Sequence, residues 1–269
     1  MFINILGIVL VTAVVGGTIV LGTSPVSASE DVTYPRVNQL EERFLEPDGF
    51  QWGHFTNSDQ AKIRFGWIEP EGELRAVAVL MPGRGAPIEK YFEPIRELLS
   101  RGFAVWSMDW RGDGGSERYL DNPQKGYSLG FEHDVADLHQ FVTTIVERRG
   151  KSLLLFAGSF GGHISLRYLH EHPKSFDFAV LVSPMLDIKT GTWPRWVARS
   201  LAKLATTIGF GESYVPGGGD WQPDAEHDSN ARKNSSDPVR YSVSQTYFRE
   251  RPELRLGSPT SCGQNTRTR

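Results

Sequence analysis

The sequence holds a single cysteine, Cys262, in 269 residues. One thiol cannot close an intramolecular disulfide, and it leaves no material for a Cys-rich zinc site or a redox pair. An excess of one charge sign is missing too: 29 Lys and Arg stand against 32 Asp and Glu, and the pI is about 6.2. Nucleic-acid binders ordinarily carry a clustered basic excess, so no nucleic-acid partner is expected. There is no repeat of fixed period, which excludes a solenoid. No group of His, Asp, Glu and Cys has metal-ligand spacing, so neither a metal nor an organic cofactor is implied. What the chain does have is 39% hydrophobic residues over a length at which folding buries about three quarters of the surface of the unfolded chain. A full enzyme core is feasible without cross-links.

The amino terminus is distinct. Phe2 to Gly22 are 21 uncharged positions rich in Ile, Val and Leu, and no Lys or Arg precedes Arg36. The run exceeds the usual signal-peptide apolar region of about 7 to 15 residues and just reaches the roughly 20 needed to cross a bilayer. Val26-Ser27-Ala28 looks like a small-residue cleavage site and favours export, whereas the length and the missing basic residues favour an anchor. A buried core helix fits less well, because Gly7, Gly16, Gly17 and Gly22 would each cost about 1 kcal/mol there. Residues 1–29 are therefore expected to be a leader, either an export signal or a membrane anchor through segment 2–22. Glu30 and Asp31 just after it, with no basic residues, place the following domain outside the cytoplasm.

From about residue 50, apolar runs alternate with helical patterns. Lys62 to Glu69 alternates polar and apolar residues, and Arg75 to Met81 is a nearly continuous apolar run of strand length. Ile88 to Ser100 then has helical spacing, Phe103 to Asp109 is a second apolar strand, and Phe131, Val135, Leu138, Val142 and Ile145 mark a long amphipathic helix. Ser152 to Ala157 is a third strand, followed by a helix through His170 and a fourth strand from Phe178 to Ser183. This alternation predicts an α/β fold with a mostly parallel sheet covered by helices on both faces. Further on, Trp193 to Ile208 reads as an amphipathic helix, with Val197, Leu201, Leu204 and Ile208 on one face and Arg195, Arg199 and Lys203 on another. That pattern suits a lid meeting lipid or covering an apolar pocket. A helix packed on the core with a solvated basic face accounts for it equally.

In such sheets chemistry sits at the carboxyl ends of strands. There the sequence reads Leu155-Phe156-Ala157-Gly158-Ser159-Phe160-Gly161-Gly162. A serine between a buried strand and a helix, with small residues two before and two after, meets the steric demand of a nucleophile elbow, a turn too sharp for larger flanking side chains. A Gly/Ser-rich connection without chemical meaning is the alternative, made less apt by the position after the third apolar strand. The elbow would present the Ser159 hydroxyl at a helix amino terminus, which favours negative charge. Acyl transfer also needs two preorganised donors for the oxyanion, one from the residue after the nucleophile and one from an earlier strand-end loop. The N–H groups of Phe160 and of Arg84, in Pro82-Gly83-Arg84-Gly85, are the candidates, although glycines also suit an ordinary turn there.

Taken in order, several segments resemble the α/β-hydrolases of the lysophospholipase and monoacylglycerol-lipase group, the serine aminopeptidase-like family. They are Pro82-Gly83-Arg84, Glu89 to Glu93, Arg101 to Val105, Asp109 to Arg118, the Ser159 turn, Ser183 to Asp187, Asp237 to Tyr241 and Pro252 to Gly257. The resemblance spans roughly residues 36–260. It implies an α/β-hydrolase core over 36–190, a helical cap or lid over 191–257, and hydrolysis of a lipid-like carboxylic ester through an acyl-enzyme. Within the loop Asp109 to Ser116, Asp109 and Arg111 are read as organising residues.

The departures matter as much. The family usually has His before the nucleophile and Met after it, where this chain has Gly158 and Phe160. A serine hydroxyl needs a base, and in this fold the acid and the histidine follow it in the chain. After Ser159 come only His163, His170, His172 and His227. The first three fall on or at the end of the following helix and read as surface or capping residues. His227, in a polar turn-rich stretch, is the remaining candidate base, and Asp187, after the fourth strand, the candidate acid. Residues 258–269 are polar and aperiodic and are expected to be a tail outside the family, at the point where relatives continue into the last core strands with the catalytic Asp and His. The expectation is thus a shortened reading frame, with the last core strands missing and one sheet edge bare. Three functions stay open: a serine ester hydrolase of lysophospholipase or monoacylglycerol-lipase type, a catalytically dead remnant or binding module, and a membrane-tethered interaction protein.

Overall fold

A computed structural model describes residues 35–187, 194–223 and 237–262. The chain divides into two units, 1–33 and 34–269, and every described residue lies in the second. The leader, Trp193, His227 and the last residues of the tail fall outside the described set.

Six strands form one sheet: β1 (Gln51–Thr56), β2 (Lys62–Ile68), β3 (Ala76–Met81), β4 (Phe103–Met108), β5 (Ser152–Gly158) and β6 (Phe178–Val182). Their order is β1-β2-β4-β3-β5-β6. β4, β3, β5 and β6 are parallel neighbours, while β2 runs antiparallel to both β1 and β4. Among the described residues the α-helices are α1 (Phe92–Ser100), α2 (Phe131–Gln140, widening into a π turn over Phe141–Ile145), α3 (Ser159–Glu171), α4 (Arg195–Thr207) and α5 (Pro238–Glu250).

β3 shows why the central strands read as unbroken apolar runs. Successive side chains point to opposite faces, and all six of its residues are buried. On one face Val77, Val79 and Met81 join Trp106, Leu155, Val135, Leu138, Ile164 and Tyr168, so that α2 and α3 close over the sheet. On the other, Ala78 and Leu80 meet Phe92 and Ile95 of α1 and Val243 and Tyr247 of α5. Fully burying each Val, Leu or Ile side chain contributes roughly 1.5–3 kcal/mol, which makes this double-sided layer the main source of stability.

The structure departs from the sequence reading in four places. β1 is an additional strand, an antiparallel edge whose register runs from Gln51 opposite Trp67 to Thr56 opposite Lys62. α5, grouped with the cap from sequence, packs on the core beside α1. Its start is local chemistry: Asp237 is the N-cap, its carboxylate accepting the Val239 and Arg240 N–H groups at 2.9 and 3.3 Å, and Pro238 occupies the first turn. The beginning of the supposed tail is tied in as well, since the Thr260 N–H donates to the Gly126 carbonyl, the Ser261 N–H to Ser213 and the Cys262 N–H to Gly211. Finally, β6 is not covered on both faces. Phe178, Val180 and Val182, which share one face, are 64%, 45% and 62% exposed, because no described element packs there. Among the described residues no helix is long and apolar enough to cross a membrane.

Candidate active site

The chain leaves β5 at Gly158 in an extended conformation (φ −123°, ψ 149°) and enters α3 through Ser159 at φ +50°. For a residue with a side chain this left-handed conformation costs on the order of 1–2 kcal/mol, and it persists only where the surroundings enforce it. Here they do. A Cβ on Gly161 would lie 2.4 Å from the Pro82 carbonyl oxygen and 2.6 Å from that of Met81, so α3 starts in direct backbone contact with the end of β3. A Cβ on Gly162 would meet Pro184 at 2.9 Å, and the Met185 N–H donates to the Ser159 carbonyl at 2.9 Å. Held from both sides, Ser159 is exposed.

The loop after β3 is fixed with equal care. The Gly83 N–H donates to the Tyr91 hydroxyl at 2.9 Å and the Gly85 N–H to the Asp113 carboxylate at 2.6 Å. Between them the Arg84 N–H has no partner among the described residues, while the Arg84 guanidinium reaches the Gly257 carbonyl at 3.1 Å. A Cβ on Gly83 would stand 3.4 Å from the Ser159 Cβ, which places this loop against the elbow. Phe160 lies in the first turn of α3, where N–H groups have no intrahelical acceptor. The roles of Tyr91 and Asp113 as anchors of this loop were not read from sequence. Asp113 beside two glycines was the available signal, and Tyr91 offered none.

Behind the elbow, a cavity of about 190 Å³ is lined chiefly by Trp110, Phe131, Phe160, Met185 and Leu256. Phe160 packs edge-on against Trp110 and Phe131, with ring centroids 5.4 and 5.8 Å away. One wall also carries the buried Asp134, whose burial pushes its carboxyl well above the usual carboxylate range, against the pull of Arg111.

Charged pairs pin the loop that frames this cavity. Asp109, completely enclosed, accepts the Ile88 and Gly115 N–H groups at 3.0 and 2.8 Å and pairs with Arg64 at 2.5 Å. Burial lifts its pKa to about 6, although Arg64 opposes the shift. Glu89 takes both Arg64 and Arg251. Arg111 holds Asp137 through two bonds at 2.6 and 2.5 Å and reaches Asp59. Both residues are thus engaged in binding loop to core.

The candidate bases and acid are placed less favourably. His163 points into the core, packs against Phe131 at 4.8 Å, and is held below the usual imidazole range by burial. His172 stacks on His139 at 4.3 Å, far along α3, and His170 is exposed near the same end. Asp187 is exposed, beyond β6. His227 lies outside the described residues. Among the described residues no histidine hydrogen-bonds Ser159.

Residues 72–257 match the family model described as serine aminopeptidase, S33. The chain belongs to the serine aminopeptidase S33 family. A similar curated protein is lysophospholipase L2 of Escherichia coli, 31% identical over 208 residues, or 77% of this chain and 60% of that protein. Human monoglyceride lipase is 26% identical over 141 residues, covering 49% of this chain and 43% of the human one. The chain therefore spans about 60% of the length of its bacterial relative. Among solved structures, a thermostable carboxyl esterase from Bacillus coagulans in complex with glycerol superposes with a TM-score of 0.59 at 17% identity, covering 79% of this chain and 69% of that one. A soluble variant of Saccharomyces cerevisiae monoglyceride lipase gives 0.54 at 18%, covering 87% and 68%. At these identities the structures establish the α/β-hydrolase fold of this S33 family member.

Proposed function

We propose that this S33 family member is a serine hydrolase of lipid-like carboxylic esters, of lysophospholipase or monoacylglycerol-lipase type. Ser159 attacks the acyl carbonyl, the Arg84 and Phe160 N–H groups receive the oxyanion, and an acyl-enzyme forms and is hydrolysed. The observation that carries this reading is the exposed Ser159 held at φ +50° where β5 turns into α3. The apolar cavity beside Phe160 is an apt place for an acyl chain. The names of the bacterial and human relatives favour the same substrate class. His227 is the candidate base and Asp187 the candidate acid, and α4 with its neighbours, short of α5 on the core, serves as the lid. The leader 1–29 acts as an export signal or anchor, placing the enzyme at or beyond a membrane.

A second reading, a non-catalytic module on the same fold, is favoured by the lack of any described histidine at Ser159. A fluorophosphonate, which labels only an activated serine, separates the two. Labelling of the intact chain that is lost in Ser159→Ala supports hydrolysis. No labelling of the intact chain rejects it.

A further inference from the structure

One polar group on the wall of the cavity behind the elbow is uncommitted. Arg84, Arg111, Asp113 and Ser128 line that cavity too, and each is already engaged: Arg84 with the Gly257 carbonyl, Arg111 with Asp137 and Asp59, Asp113 with the Gly85 and Gly114 N–H groups, and Ser128 with the Gly130 N–H. Asp134 is different. It is 3% exposed and lines the same cavity, and its carboxyl has no hydrogen-bond or ion-pair partner among the described residues. Buried polar groups are ordinarily satisfied, and an open one calls for an explanation. Service to the dipole of α2, in whose first turn Asp134 lies, would require the ionised form. Burial favours the protonated form instead, in spite of Arg111 and Arg167. A protonated carboxyl both donates and accepts a hydrogen bond. Around it the cavity is chiefly apolar, and Asp134 follows Phe131 by three residues on α2, so the two share a helix face toward Phe160 beside the nucleophile. A plain alkyl chain bound there would leave Asp134 unsatisfied. A hydroxyl on that chain, itself both donor and acceptor, would satisfy it, whereas an ether or a ketone could only accept.

We propose that Asp134 recognises a hydroxyl on the acyl chain, which makes esters of hydroxylated fatty acids the preferred substrates of this site. The recognition needs only the cavity and Asp134, and its extension to esters rests on the reading of Ser159 as the nucleophile.

The test begins with isothermal titration of the full chain as Ser159→Ala with medium-chain fatty acids, plain or carrying one hydroxyl near the carboxyl, at mid-chain or at the far end. At least one hydroxylated acid should bind about tenfold more tightly than the plain one, the weight of one hydrogen bond. Asp134→Leu in that background should abolish the preference while the plain acid binds as well or better. Asp134→Asn, whose amide still gives and takes hydrogen bonds, should keep most of it. A carboxyl with a merely structural role would shift both acids alike. In the unaltered chain, kcat/KM for the matching nitrophenyl esters should follow the same order. The proposal is overturned if no hydroxylated acid outdoes the plain one, a comparison that needs no variant at Asp134, or if the preference survives Asp134→Leu. Cleavage of plain and hydroxylated esters with equal kcat/KM overturns it with the hydrolytic reading intact. A preference in binding without cleavage or fluorophosphonate labelling supports the recognition, and the hydrolytic reading alone then falls.

Discussion

Replacing Gly161 with Ala tests the contact on which the Ser159 turn depends. The added Cβ would stand 2.4 Å from the Pro82 oxygen, 2.6 Å from the Met81 oxygen and 3.0 Å from the Met81 carbonyl carbon, all of them backbone atoms. No rotamer change relieves such an overlap. Either α3 or the end of β3 must retreat by roughly half an ångström or more, and β3 is buried along its whole length and paired with β5 up to Met81 opposite Ala157. Overpacking of this kind costs about 1–3 kcal/mol, and the rigidity of the buried strand argues for the upper part of that range. Against it stands the helix propensity of Ala over Gly, worth at most about 1 kcal/mol and only partly realised in a first turn. The net expectation is a loss of about 2 kcal/mol, or a fall of roughly 1 M in the urea midpoint at an m-value near 2 kcal/mol/M. Any Ser159-dependent fluorophosphonate labelling should be lost with it, because the loop carrying Arg84 moves away from the serine. Gly72→Ala, where a Cβ meets only open space, serves as the control and should leave the midpoint unchanged or slightly raised. A Gly161→Ala protein with an unchanged or higher midpoint and intact labelling would refute the packing account of the turn.

Four further outcomes are expected. Ser159→Gly should raise the urea midpoint by the equivalent of up to about 1 kcal/mol, because relief of roughly 1–2 kcal/mol of left-handed strain outweighs the entropy that glycine adds to the unfolded chain, while abolishing labelling. Asp134 has a folded-state pKa above its unfolded value, so its contribution to stability is complete at low pH and is lost as pH rises through the folded pKa. Asp134→Asn cannot ionise, and its stability relative to wild type in urea melts should therefore rise from pH 4 to pH 8, a constant difference being the contrary result. Phe178→Lys, on the bare face of β6 at 64% exposure, should change stability by no more than about 0.5 kcal/mol and lower self-association in sedimentation velocity. His227→Ala should slow fluorophosphonate labelling by about a hundredfold or more, and added imidazole should restore part of the rate to the variant. An unchanged labelling rate in His227→Ala would remove His227 as the base.

Much of this fold was legible in sequence because its central strands are buried on both sides. β3, β4 and β5 announce themselves as apolar runs, and the helices between them by their spacing. β1 escaped because an edge strand buried at only one of six positions, with a glycine and a histidine inside it, carries no periodic signal. α5 escaped for the opposite reason. Its buried residues include Ser244, Gln245 and Thr246, so it packs on the core without an apolar stripe, and only the Asp237-Pro238 start betrays it. The orientation of α4, whose Trp196, Leu201, Leu204 and Ile208 are exposed, was illegible in principle. The amphipathic pattern reports that one face differs from the other, and not which of them meets the protein.

The same distinction separates the two halves of the candidate site. Presenting a serine at a strand-to-helix bend is a local backbone problem, solved within Ala157 to Gly162 and its contact with Met81 and Pro82, so small residues at fixed offsets suffice to mark it. Supplying a base is a tertiary problem. The histidine can come from any later element, and nothing in its immediate neighbours needs to reveal its destination. His163 illustrates the point: nearest to Ser159 in sequence, it packs against Phe131, where burial holds the ring below the usual imidazole range and its Nε2 is enclosed with no hydrogen-bond partner among the described residues. Proximity along a helix therefore argues against His163 as the base. His163 lies one turn further along α3, and its ring is taken up by an edge-on contact with Phe131 at the start of α2 rather than by a hydrogen bond to Ser159.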